Sequence, residues 1–143
     1  MTFQGTENFK ISELEYSDTA KKYKIDNTIP DELESNAKRL LEFLQEIRDK
    51  WGSGIRITSG FRGERLNKII GGVKTSAHRK CNAVDMYPVN NKFDEFKSFL
   101  IEYLKDKNFD QCIEESNEGE RWIHFGLYNN SDKQRRQIFK IEQ

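Results

Sequence analysis

Of the 143 residues in this chain only two are histidines, His78 and His124. Each lies in a segment of chemical interest: Ser76-Ala77-His78 stands ahead of a strand-like stretch, and Trp122-Ile123-His124 lies inside another. Between His78 and Asp85 runs a turn-forming Lys80-Cys81-Asn82, so a tight loop can swing both side chains toward one point. His124, on a segment able to pair beside Asp85, would add a third ligand. Two imidazoles and a carboxylate, with a fourth position left to water, are the donor set of a catalytic zinc site rather than a closed structural one. Such ligands leave zinc acidic enough to bring the pKa of a bound water to about 7. Spacing by itself is weak support, since His124 between Ile123 and Phe125 also reads as a core histidine, and Asp85 as a strand-end carboxylate.

The elements that would carry these residues follow from periodicity. Ser12 to Glu15 has the S-x-x-E spacing of a helix start, and a short helix is expected to run from there through Ala20 and Tyr23. A longer one begins near Pro30, with Asp31, Glu32 and Glu34 in its first turn. Its apolar face reads Leu33, Ala37, Leu40, Leu41, Leu44, Ile47 and Trp51, and Gly52 and Gly54 end it. Gly54 to Ser59 alternates as a half-buried strand, followed by a turn at Ser59-Gly60. Arg65 to Ile70 reads as a short helix ended by Gly71-Gly72, and Ala83 to Tyr87 as a second strand ending at Pro88. Asn91 to Lys105 returns to helical spacing through Phe93, Phe96, Leu100 and Leu104. Phe109–Ile113 and Trp122–Leu127 then read as two strands joined by an acidic loop, Glu114–Glu120. Helices and strands in mixed order, without βαβ alternation, predict an α+β fold: a small antiparallel sheet with helices packed on it.

Length and the absence of any repeat or linker predict one domain over residues 1–143. The 24 basic and 24 acidic residues cancel, so no global field draws the chain to nucleic acid, for which Arg135-Arg136 is the only local argument. No apolar run approaches the roughly 20 residues of a membrane span, and Met1–Lys10 lacks the apolar stretch of a secretory signal, so membrane insertion is not expected and synthesis in the cytoplasm is. Cys81 and Cys112 are too few for a disulfide framework and read as buried or partly buried free thiols.

The residues around the histidines resemble those of the zinc D-Ala-D-Ala carboxypeptidase-like peptidases, relatives of hedgehog domains that include phage-type members. That family's S-x-H-x-x-G-x-A-x-D signature corresponds to Ser76 through Asp85, and its W-[IV]-H strand to Trp122-Ile123-His124. The likeness continues through Ile25-Asp26-Asn27-Thr28 with Pro30, Ile57-Thr58-Ser59-Gly60-Phe61-Arg62, Leu66-Asn67, Gly71-Gly72, Phe109-Asp110-Gln111 and Arg135-Arg136-Gln137.

The resemblance implies a hedgehog/D-Ala-D-Ala peptidase-like fold and one catalytic Zn2+ held by His78, Asp85 and His124. It implies hydrolysis of D-alanyl-type bonds in peptidoglycan by a monomer that is phage-encoded and reaches the wall after lysis or within a virion. Arg62 matches an active-site arginine, suited to binding substrate and stabilising an oxyanion. Ser76 matches a position that binds substrate or holds the loop. Relatives often carry a carboxylate or histidine three residues before the last ligand, where this chain has Arg121. Glu115 resembles a glutamate of phage-type members and is the expected general base, with Glu114, Glu118 and Glu120 left as alternatives. Cys81 replaces the motif glycine; it either sits in a left-handed position beside Asn82 or closes the site as a fourth ligand. The competing expectation is a catalytically inactive zinc-binding structural or virion module of the same fold.

Overall fold

The computed structural model describes residues 1–142, arranged on a five-stranded sheet of order β1-β2-β4-β3-β5. The strands are β1 (Ile55–Ser59), β2 (Ala83–Pro88), β3 (Gln111–Asn117), β4 (Glu120–Gly126) and β5 (Gln137–Glu142). The helices are α1 (Ile11–Glu15), α2 (Asp18–Lys22), α3 (Glu34–Trp51), α4 (Glu64–Ile70) and α5 (Phe93–Tyr103). The α+β class is as expected. Strands β1 to β4 pair antiparallel, but β5 joins β3 in parallel, so the sheet is mixed at one edge. Among the described residues no helix is long and apolar enough to cross a membrane.

The apolar spacing of α3 becomes its buried face: Ala37, Leu40, Leu41, Leu44 and Ile47 are buried. Gly52 stops the helix in the left-handed region at φ 81°, its N–H bonded to the Arg48 carbonyl at 2.9 Å. Strands alternate their side chains between faces, and Val84, Met86, Cys112, Ile123 and Phe125 point toward α3 and α5 in one core. Burying each such side chain contributes about 1.5–3 kcal/mol. Trp51 closes the end of this core, its ring 5.1 Å from that of Phe96.

The opposite face of the sheet carries the chemistry. Strand register places Asp85 opposite His124 and His124 opposite Ile113, with Phe139 beyond it. One step along lies a second row, in which Trp122 stands opposite Glu115 and Glu115 beside Ile141.

Three local expectations are corrected. The short N-terminal helix is two five-residue helices, because Ser17 leaves the helical region and its hydroxyl accepts from the Ala20 N–H to start α2. Ser12 is not the cap of α1: Glu13 accepts from the Lys10 N–H at 2.8 Å, and Glu15 reaches instead to the Ile29 N–H at 2.8 Å. The acidic stretch Glu114–Glu120 is no loop, since β3 continues to Asn117 and a two-residue turn leads into β4. Glu118 and Gly119 both take positive φ, 52° and 84°, which is the tight hairpin turn matched to strand twist.

Strand β5 has no counterpart in the sequence reading. Every described residue of it is exposed, so no buried face imposes a period on its residues. It is anchored by Asp110, which is 1% exposed and holds Arg135 through both carboxylate oxygens at 2.7 and 2.8 Å. The Asp110 carbonyl then accepts from the Gln137 N–H at 2.8 Å, setting the first rung of the parallel ladder.

Candidate metal centre

The exit from β1 grips His78 at two places. His78 Nδ1 lies 2.6 Å from the Gly60 carbonyl oxygen, and the Arg62 N–H donates to the His78 carbonyl at 3.0 Å. Gly60 is required there, because a Cβ would stand 2.7 Å from Leu14 Cα and 2.8 Å from the Leu14 carbonyl oxygen. The Leu14 carbonyl also accepts from the Phe61 N–H, which packs α1 against this exit. Asn27 completes the brace: its amide donates to the carbonyls of Glu15 and Phe61, and its oxygen accepts from the Gly63 N–H.

His78 lies in a 3₁₀ turn, Ala77–Lys80, that Ser76 caps by accepting from the His78 N–H at 3.3 Å. Cys81 follows at φ 58°, the left-handed conformation that the motif glycine would adopt freely. The turn is held from outside as well. Asn36 donates to the Lys80 carbonyl, Arg39 to the Asn82 side chain at 3.0 Å, and the Leu127 N–H to the Asn82 carbonyl.

Asp85 on β2 then faces both imidazoles with one oxygen: Oδ1 is 3.2 Å from His124 Nδ1 and 3.6 Å from His78 Nε2. One ligand atom from each of the three residues lies within 4.8 Å of the others. Burial works to raise the Asp85 carboxyl, but the charge and hydrogen bonds of His78 and His124 outweigh it and hold the group well below the usual carboxylate range. Bonds of about 2.0–2.1 Å to a tetrahedral zinc separate ligand atoms by roughly 3.3 Å, and the two N···O distances bracket that value. A carbonyl can only accept, so His78 Nδ1 carries a proton, and Nε2 is the ring nitrogen left facing Asp85 and available to a metal once it is deprotonated. The donor set, the two N···O distances and the His78 tautomer fit zinc.

Cys81 does not join the group. Its side chain is fully buried in the hydrophobic core, and burial pushes the thiol up to about 12, against the thiolate that zinc would need.

The other expected site residues divide between the faces of the sheet. Arg62 reaches the site, with Nη2 3.7 Å from Asp85 Oδ2 and a buried Nε that has no hydrogen-bond partner. Glu115 stands on the ligand face and accepts from Trp122 Nε1 at 2.7 Å. Glu114, its neighbour, turns to the helix face and is buried against Lys97 at 2.6 Å. Glu118 and Glu120 belong to the exposed hairpin end. Arg121 also points away, paired with Asp94 at 2.7 Å and lying over the Phe93 ring at 4.4 Å. A groove of about 630 Å³ opens onto Asp85 and is lined by Thr58, Tyr87, Glu120, Arg121 and Trp122.

Trp122 and Tyr87 carried no assigned role in the sequence. Period-two counting back from His124 and forward from Asp85 would have put both on the ligand face. The pair Arg135-Arg136 offers little to nucleic acid: Arg135 is committed to Asp110, and Arg136 donates to the Lys105 carbonyl.

Compared with known families, residues 7–126 match the model described as Peptidase M15. No curated protein gives a significant match.

Proposed function

The chain belongs to the M15 peptidases, the zinc D-Ala-D-Ala carboxypeptidase-like metallopeptidases, and from that membership we propose that it hydrolyses D-alanyl-type peptide bonds in bacterial peptidoglycan. The observation that carries the reading is the group of two imidazole nitrogens and one carboxylate oxygen within 4.8 Å, opening onto a groove. We assign His78, Asp85 and His124 as the ligands. Zinc held there supplies Lewis acidity and brings the pKa of a water into the neutral range.

The chain's own residues do the rest. Glu115, on the ligand face, takes the proton of the attacking water and returns it to the departing amine. Arg62, fixed by its backbone bond to His78 and by Asp85, presents a cation to the oxygen that becomes negative as the carbonyl turns tetrahedral. Ser76 supports this arrangement through the His78 loop, and the groove between Tyr87 and Trp122 receives the peptide. The setting we propose is a phage product acting as a monomer at the wall, after lysis or from the virion; the resemblance in the signature segments supports it.

The test uses zinc-loaded protein on purified peptidoglycan and on short peptides ending in D-Ala-D-Ala, with released amines measured. Wild type is expected to cleave, Glu115→Gln to fall by about 10²–10⁴-fold, and His78→Ala to be inactive. Should wild type bind one zinc per chain yet cleave no faster than both variants, the enzyme reading is lost and the chain is a zinc-bearing structural module.

A further inference from the structure

We propose that Trp122 is a positioning residue that acts through Glu115, aiming its carboxylate at the reacting water. This rests on the assignment of Glu115 as the base. The two residues are direct cross-strand partners between β4 and β3, both on the ligand face, joined by the 2.7 Å bond from the indole Nε1–H to Glu115 Oε1.

A glutamate on a strand has three rotatable side-chain torsions and, when half-buried, several ways to reach solvent. Something must choose among them. Among the described residues no cation pairs with Glu115, and the nearest arginine in sequence, Arg121, is held on the opposite face by Asp94. Indole N–H is a donor only, so the contact can be made in one sense: Trp122 gives and Glu115 accepts. One carboxylate oxygen is thereby fixed and Oε2 is left for the proton. Trp122 is itself constrained, since it pairs within the sheet beside His124 and lines the groove with Asp85 and Tyr87. The strand that supplies the last ligand thus also supplies the residue that orients the base, two positions apart on one face.

Because the indole touches Glu115 rather than the metal, loss of its N–H should lower kcat by about ten- to a hundredfold, the scale of a misplaced catalytic group, and leave zinc content nearly unchanged; where the bicyclic shape that walls the groove is kept, KM should stay nearly unchanged as well. Two changes test this: Trp122→Phe, and replacement of Trp122 by its benzothiophene analogue, which keeps the bicyclic shape and removes only the N–H donor. Each is measured in the wild-type and the Glu115→Ala background. The expected result is a fall in kcat in the first and no further fall in the second, the non-additivity of residues acting as one unit. An analogue with wild-type kcat overturns the proposal, as does an equal loss in both backgrounds, which would mean that Trp122 acts on substrate directly. If Trp122→Phe does not fold, the analogue decides. A fully active Glu115→Gln removes the base assignment itself; an inactive Glu115→Gln beside an unaffected analogue removes only the role of Trp122.

Discussion

His78 Nδ1 and the Gly60 carbonyl oxygen are 2.6 Å apart, and this contact joins the end of β1 to the candidate metal centre. It selects the tautomer, orients the ring and leaves Nε2 toward Asp85. Gly60 can make it because nothing larger fits beside Leu14. Gly60→Ala is therefore expected to move the carbonyl off His78, weakening zinc binding by about 10–100-fold and destabilising the protein by about 1–3 kcal/mol through overcrowding. Chelator competition and urea unfolding measure the two effects separately.

Zinc that binds only the folded chain must stabilise it. At a hundredfold excess over its dissociation constant, zinc should add about 2.7 kcal/mol to wild type, seen as a rise in Tm that a chelator reverses. His78→Ala should fold without that response, and a zinc-dependent Tm that survives this change would place the metal elsewhere.

Arg62 has two attachments, a backbone bond to His78 and an ion pair with Asp85. Its guanidinium can be removed while the backbone contact stays. Arg62→Ala is expected to lower kcat by about 10²–10³-fold, the usual loss for one oxyanion donor, with one zinc still bound per chain. Loss of zinc in this variant would show that Arg62 holds Asp85 in place rather than acting on substrate.

Burial pushes the thiols of Cys81 and Cys112 up from 9.0 to about 12. Neither should react with a thiol reagent at pH 8 until the protein unfolds. The sign for stability follows from the direction: with the folded value above the unfolded one, the contribution is complete below pH 9 and is lost as pH rises toward 12. Urea midpoints measured across that window should fall, and less steeply in Cys112→Ala.

Asp110 is buried and paired with Arg135, so taking its charge away weakens the side-chain bonds that hold the segment leading into β5, while the backbone rung to Gln137 stays. Asp110→Asn is expected to cost about 1–3 kcal/mol, the range for weakened hydrogen bonds to a charged group, because the half-exposed Arg135 can turn to water. It should also speed amide exchange over residues 137–142 more than in β2. Uniform exchange across the sheet would show that β5 is held by other contacts.

The sequence by itself determined the elements whose side chains obey a period imposed by burial: the α3 face from Ala37 to Ile47, the alternation of β1 and β2, and the identity of His78, Asp85 and His124 as a group worth joining. The tertiary structure decided what depends on partners distant in the chain. It set Glu115 opposite Trp122: alternation along the strand already separates Glu115 from Glu114, but an acidic run has the same composition whether it is a loop or a hairpin, and only the Glu118-Gly119 turn fixes that register. It placed Cys81 in a left-handed position with its thiol in the core, where composition left a fourth ligand open. It added β5, whose exposed residues carry no pattern and which is led onto β3 by the pairing of Arg135 with the buried Asp110. Periodicity records which face of an element is dry. Register, tautomer and the approach of Gly60 to His78 arise only when separate elements meet.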